Sequence, residues 1–157
     1  GGELSSIVTV LDYILPEGPI IRIFDADGNQ VDEYDSEATE LNIPMAVLVN
    51  GSTASAAELF TAVLRDYQLT TTVGKTTFGK GILQNIYSLA PYGYSGGVKL
   101  TTGYYNPPCG INYHDVGITP DVVAEQRPES AGKNPALLSD EEDDQLLAAA
   151  EVLSNKQ

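Results

Sequence analysis

The segment that most restricts how this chain can fold runs from Ile43 to Tyr67. Ile43-Pro44-Met45-Ala46-Val47-Leu48-Val49 is apolar on both faces, as a strand buried between helices is, and it ends at Asn50-Gly51. Ser52-Thr53-Ala54-Ser55-Ala56-Ala57-Glu58 then opens a helix whose apolar positions Ala54, Ala57, Leu59, Ala62, Val63 and Leu64 continue to about Tyr67. A buried strand therefore feeds a tight turn and then a helix. Any fold for this chain has to cover that strand on two sides and hold the helix start rigidly at its end.

The flanking segments supply the cover. Leu4, Ile7, Val8, Leu11, Ile14 and Leu15 recur at helical spacing before Pro16-Glu17-Gly18-Pro19 stops the helix. Ile20 to Phe24 and Val31 to Tyr34 read as a hairpin around an Asp-Gly turn signal, Asp25-Ala26-Asp27-Gly28-Asn29. After a polar stretch, Ser36 to Asn42, and the strand and helix above, Thr70 to Val73, Ile82 to Leu89 and Val98 to Tyr105 are expected strands. Gly74 to Gly81 is a glycine-punctuated loop, and Val116 to Ala124 crosses into a last short strand. Glu125 to Pro135 reads as linker. Ser139-Asp140-Glu141-Glu142 is a capping-box pattern followed by Leu146, Leu147, Ala150 and Leu153 on one helical face.

With 157 residues, 42% hydrophobic and 19% charged, the chain has apolar surface for one compact core and too little charge for disorder. Its 22 Asp and Glu against 8 Lys and Arg give a net charge of -14. No basic footprint exists to neutralise phosphates, which argues against nucleic acid and anionic membrane surfaces as partners. The acids concentrate in Asp25 to Glu40 and Asp140 to Asp144, so the centre is nearly neutral. A lone cysteine, Cys109, excludes an intrachain disulfide and any CxxC pattern, and its loop has no cationic cluster to lower its pKa. The Asp25 to Glu40 acids lack the ordered spacing of a calcium loop, so no metal is expected. The longest apolar run, Met45 to Val49, is far shorter than the ~20 residues of a membrane-spanning helix. Because it starts at Gly1-Gly2 without Met, the chain is expected to be a fragment whose companion segments lie upstream.

A serine at the mouth of a helix after a buried strand is exposed yet rigidly held, with backbone amides pointing outward that can bind a developing oxyanion. Its hydroxyl is a weak nucleophile until a base takes the proton. The one histidine, His114, sits in a Tyr-His-Asp run near a turn with no acid partner identifiable, which suits a surface or structural role, and nothing specifies a Ser-His-Asp triad. Lysine is the other recognised base, once burial disfavours its charged form. Lys80 lies in Thr77-Phe78-Gly79-Lys80-Gly81, with glycines that allow close backbone approach and Phe78 available to desolvate it. Gln84 follows four positions later. Taken singly, Ser52, Thr53 and Ser55 are ordinary helix caps, Lys80 a loop lysine and Gln84 a strand amide.

Their joint register resembles the carboxyl-terminal processing proteases, also called tail-specific proteases. The resemblance rests on Asn50 to Glu58, on Val73-Gly74, on Thr77 to Gly81 and on Gln84. It extends to Gly1-Gly2, Leu15 to Pro19, Leu100-Thr101-Thr102 with Tyr104-Tyr105, and Gly117 to Asp121. It implies a crotonase-like (ClpP/crotonase type) α/β fold, a twisted sheet with flanking helices, here as a partial protease core. It implies Ser55 as nucleophile, Lys80 as general base and Gln84 as the residue orienting the lysine. The amides of Ala56 and Gly2 match the oxyanion hole, and Glu58 matches an acid that assists or binds helix-terminal amides. Residues 1–125 would be the C-terminal part of the core, 126–138 a linker and 139–157 an acidic amphipathic helix.

The same resemblance implies an acyl-enzyme mechanism without cofactor, on extended or unfolded polypeptides cut near their C-termini. It also implies upstream PDZ and core segments, an extracytoplasmic setting and a possible homo-oligomer. Two positions depart from the family pattern. Lys75 stands where an acid is frequent, either depressing the Lys80 pKa or sitting exposed in its loop, and Ala57 replaces a frequent serine. A non-catalytic peptide-binding or assembly module is the second reading. Acyl-CoA chemistry on a crotonase-like scaffold is a third, opposed by the acidic surface.

Overall fold

The computed structural model describes residues 1–37 and 40–155. Ala38 and Thr39, in the polar stretch, and Lys156 and Gln157, at the end of the expected last helix, lie outside the described residues. The elements run α1 (Leu4–Asp12), β1 (Gly18–Asp25), β2 (Gln30–Ser36), β3 (Met45–Val49), α2 (Ala56–Asp66), β4 (Thr70–Gly74), β5 (Ile82–Ser88), β6 (Gly97–Asn106), β7 (Val122–Val123) and α3 (Asp144–Ser154). The strands form two sheets. One is antiparallel in the order β2-β1-β6-β5; the other is parallel in the order β3-β4-β7. The parallel pair is closed by α2 as a βαβ unit, which the apolar run and the following helical periodicity require.

The main core lies between α1, α2 and the antiparallel sheet. Leu11, Leu15, Ile20, Ile21, Leu59, Val63 and Leu64 are buried there together with Tyr105, Tyr113 and Ile118. Losing one such leucine to alanine costs about 2–5 kcal/mol. A smaller cluster, Val73, Ala124 and Ala149, fixes α3 against the parallel sheet.

Two expectations shift. β3 does have a core on each side, since Met45 and Val47 pack on the main cluster and Ala46 on the smaller one. Yet among the described residues it is the edge of its sheet, and Leu48 is 40% exposed rather than buried. The last helix starts at Asp144, not Ser139. Asp143 is its cap, its side chain accepting from the amides of Gln145 and Leu146. The Ser139 and Glu142 pair does form, with the Ser139 amide 3.2 Å from Glu142 Oε2, but it closes a turn ahead of the helix.

Candidate active site

The β3–α2 turn delivers Ser55 as the cap of α2 with φ 59° and ψ -124°, a region a non-glycine residue enters at a cost of about 1–3 kcal/mol. Such strain persists only where the surroundings over-determine it. The chief restraint is Glu58, one turn into the helix and 0% exposed. Its Oε2 accepts from the Ser55 amide at 2.8 Å and from the Lys80 amide at 2.8 Å. Its Oε1 accepts from the Gly79 amide at 2.7 Å and from the Thr77 hydroxyl at 2.5 Å. A buried carboxylate is tolerable only with such a full set of donors. The two backbone nitrogens of Ser55 and Lys80 share one oxygen, so they are no more than twice 2.8 Å apart although their residues are far apart in sequence.

The loop that carries Lys80 is fixed from its other side as well. The Tyr105 hydroxyl, from β6, donates to the Lys80 carbonyl at 3.0 Å. Asn112 donates to the carbonyls of Gly81 at 2.9 Å and Tyr105 at 2.8 Å, tying the residue after Lys80 to β6. Gly79 has φ 88°, and a Cβ there would lie 2.9 Å from the Gly117 amide nitrogen, so the glycine is sterically required. Both backbone polar groups of Lys80 are thus held by side chains from other elements.

Gly2, Ser55, Ala56, Lys80, Gln84 and Tyr105 line one cleft of about 610 Å³. Among the described residues, the Ala56 amide has no acceptor, as expected for the first helical residue. Gly1 backs onto the Ala54 carbonyl so closely that a side chain would not fit, which brings Gly2 beside Ser55. Leu83, Gln84, Asn85 and Ile86 of β5 also line the cleft. Successive strand residues alternate faces, so a cleft touching four in a row runs along the strand's edge. Among the described residues, β5 has no strand partner on its outer side in the four-stranded sheet.

Some expected contacts are not made. Among the described residues no hydrogen bond joins Ser55 to the Lys80 amine, and Gln84 donates to the Thr101 hydroxyl at 3.5 Å rather than to Lys80. Phe78 is 65% exposed and outside the cleft; Leu4, Ile82, Leu83 and Tyr105 supply its apolar wall instead. Lys75 pairs with Glu125 at 3.1 Å away from the cleft, which leaves its loop reading in place. His114 buttresses the loop, its Nδ1 3.1 Å from the Gly79 carbonyl, and does not line the Ser55 cleft. Cys109 is exposed, and partial burial of its thiol beside Asp66 pushes its pKa up, away from reactivity.

Tyr105 enters the sequence reading only as part of the resemblance, with no role assigned, and is the residue that reading misses. Strand alternation separates the tyrosine pair: Tyr104 stacks on Phe24 with centroids 5.1 Å apart, whereas Tyr105 turns inward and is 3% exposed. Burial raises its phenol pKa, and the nearby hydroxyls of Tyr113 and Ser55 work in the opposite direction. Tyr113 meets its ring edge-on at 6.2 Å and keeps a buried hydroxyl with no hydrogen-bond partner among the described residues.

The sequence profile of peptidase family S41 matches residues 1–124. The chain belongs to that family. It is 38% identical over 128 residues to a carboxy-terminal-processing protease of Bartonella bacilliformis, covering 80% of this chain and 29% of that protein. A carboxyl-terminal-processing protease of Synechocystis is 35% identical over 126 residues, with the same two coverages, 80% and 29%. The solved photosystem II D1 C-terminal processing protease superposes with a TM-score of 0.69 at 32% identity, over 78% of this chain and 31% of that one. The S41 chain therefore spans less than a third of the length of these relatives. Its antiparallel and parallel sheets with packed helices form the α/β fold of a partial S41 protease core. No helix among the described residues is long and apolar enough to cross a membrane.

Proposed function

We propose that residues 1–125 form the C-terminal part of a Ser-Lys endopeptidase core of the carboxyl-terminal processing type. The observation that carries this reading is the convergence of Ser55, Lys80, Ala56 and Gly2 on one cleft, with Glu58 binding the backbones of both Ser55 and Lys80. Neutral Lys80 takes the proton of the Ser55 hydroxyl as the oxygen bonds to a peptide carbonyl. The amides of Ala56 and Gly2 hold the oxyanion. The carbon–nitrogen bond then breaks, the lysinium returns its proton to the leaving amine, and water attacks the acyl-enzyme with Lys80 again as base. Gln84, on the cleft wall, orients the lysine once its weak bond to Thr101 is exchanged.

An extended or unfolded polypeptide is the substrate class that suits an unpaired strand edge beside the nucleophile, because its backbone can add to β5. Residues 126–138 then act as a linker and 139–157 as an appended acidic segment. An extracytoplasmic setting, and further PDZ and core segments in the full protein, follow from family likeness alone.

The test is cleavage of an unfolded-peptide library, read by mass spectrometry at about pH 8, on the alkaline side where a lysine base is favoured. Cleavage should vanish in both Ser55→Ala and Lys80→Ala. Cleavage that survives Ser55→Ala, or a rate that falls steadily from mildly acidic to alkaline pH, refutes the dyad. If the chain binds peptides but neither it nor the chain with its upstream segments restored cleaves them, the peptide-binding module replaces the peptidase.

A further inference from the structure

The sequence holds eight Lys and Arg residues, of which Lys156 lies outside the described residues. Five of the others are held by carboxylates: Arg22 by Glu33, Arg65 by Asp121, Lys75 by Glu125, Arg127 by Asp144 and Lys133 by Glu142. The remaining two, Lys80 and Lys99, have no carboxylate within ion-pair distance among the described residues, and both line the Ser55 cleft. In a chain of net charge -14, acids are abundant and an exposed lysine readily finds one. Lys80 has a part in the chemistry above; Lys99 has none.

Lys99 stands on β6 directly opposite Ile86 of β5, and Ile82 marks the end of β5 next to Lys80. Four residue steps along β5 take the chain from Ile82 to Ile86, about 13 Å at the usual rise. A peptide added along the β5 edge with its scissile bond at Ser55 would thus carry one residue past Lys99, three to five positions from the cut. Glu3 is the one acid on the cleft wall among the described residues, and it makes no ion pair with Lys99.

We propose that Lys99 is a specificity residue that binds a carboxylate of the polypeptide three to five residues from the scissile bond. This rests on the peptidase reading for the position of the cut. The carboxylate is the C-terminal one or that of an Asp or Glu side chain. The surrounding negative charge opposes acidic ligands elsewhere on the surface, so one uncompensated cation in the cleft sets both preference and register. The pair would be solvent-accessible, which limits the preference to a few-fold and makes it sensitive to salt.

The experiment uses two peptide pairs with the full chain: Glu against Gln at the fourth residue on either side of the cut, and a free against an amidated C-terminus at the same distance. Wild type should prefer the carboxylate member of at least one pair by about two- to fivefold in kcat/KM at low salt, the range of an exposed ion pair. High salt and Lys99→Ala should each abolish the preference, and Lys99→Glu should reverse it. The pair that responds identifies the source of the carboxylate. The same peptides, fluorescently labelled, are titrated against Ser55→Ala by anisotropy. Carboxylate-selective binding without cleavage, by the wild type alone and with its upstream segments restored, overturns the peptidase reading but keeps Lys99 as a carboxylate site. Cleavage with no preference, a preference unchanged in Lys99→Glu, or no binding to any peptide overturns the Lys99 assignment.

Discussion

Glu58→Gln is the most informative single substitution, because it preserves shape and removes only charge and one acceptor. The wild-type carboxylate receives two donors on each oxygen, at 2.8 and 2.8 Å on Oε2 and at 2.7 and 2.5 Å on Oε1. A glutamine must turn its amide nitrogen toward one of these pairs. Facing Ser55 and Lys80, it would orphan two amides; facing Thr77 and Gly79, it would orphan one, because the Thr77 hydroxyl can rotate to accept. The second orientation is therefore preferred. It loses one charge-assisted bond, about 1.5–3 kcal/mol, leaves the Gly79 amide unsatisfied at about 1–3 kcal/mol, and weakens the two bonds that remain. The total is about 3–5 kcal/mol, a large share of the stability of a domain this size. Urea unfolding followed by circular dichroism should show a lower midpoint with an unchanged slope. Hydrogen exchange should also quicken first at the amides of Ser55, Gly79 and Lys80. A variant within about 1 kcal/mol of wild type, with those amides equally protected, would refute the claim that this carboxylate holds the two loops together.

Tyr105→Phe removes the hydroxyl that binds the Lys80 carbonyl at 3.0 Å and should cost about 1 kcal/mol in unfolding experiments. On the proposed peptidase reading, the substituted group acts through Lys80, so kcat should fall with little change in KM, and a KM effect alone would contradict that role. At the other end of the chain, Arg127 holds Asp144 and lowers its carboxyl pKa below the usual value, chiefly through side-chain hydrogen bonds. A depressed folded-state pKa means this contribution is present above the unfolded carboxylate value and is lost as pH falls through the folded one. Protection from exchange at the start of α3, relative to the intrinsic rate at each pH, should accordingly fall below about pH 4 in wild type and be less pH-dependent in Arg127→Ala.

Periodicity and turn chemistry made the elements legible because each is a local property. The hairpin around Asp27-Gly28, the β3–α2 turn and the glycines beside Lys80 all appear where residue types alone place them. Exposure was less legible. Phe78 is as apolar in sequence as a core residue yet is exposed, and β3 carries a core-like sequence at a sheet edge among the described residues. The start of α3 was misplaced because two overlapping acid patterns compete for the cap, and Gln126 settles the matter by donating to Asp143 at 2.6 Å from a distant segment.

Glu58 marks where local reading stops being sufficient. An acid three residues after a serine reads as a capping box, and that reading is correct for its bond to the Ser55 amide. Nothing local reveals that the same carboxylate has three more donors from Thr77, Gly79 and Lys80. Those bonds explain why a helix start and a glycine loop must occur in register along the chain. A carboxylate has only so many lone pairs in fixed directions, so saturating them from two segments fixes the segments' relative position. The spacing of the Ser55 and Lys80 backbones is thereby set through their amides and not through a Ser55–Lys80 bond. On the proposed reading, this leaves the Lys80 amine available to exchange a proton between serine, leaving group and water while Glu58 holds the backbone that presents it.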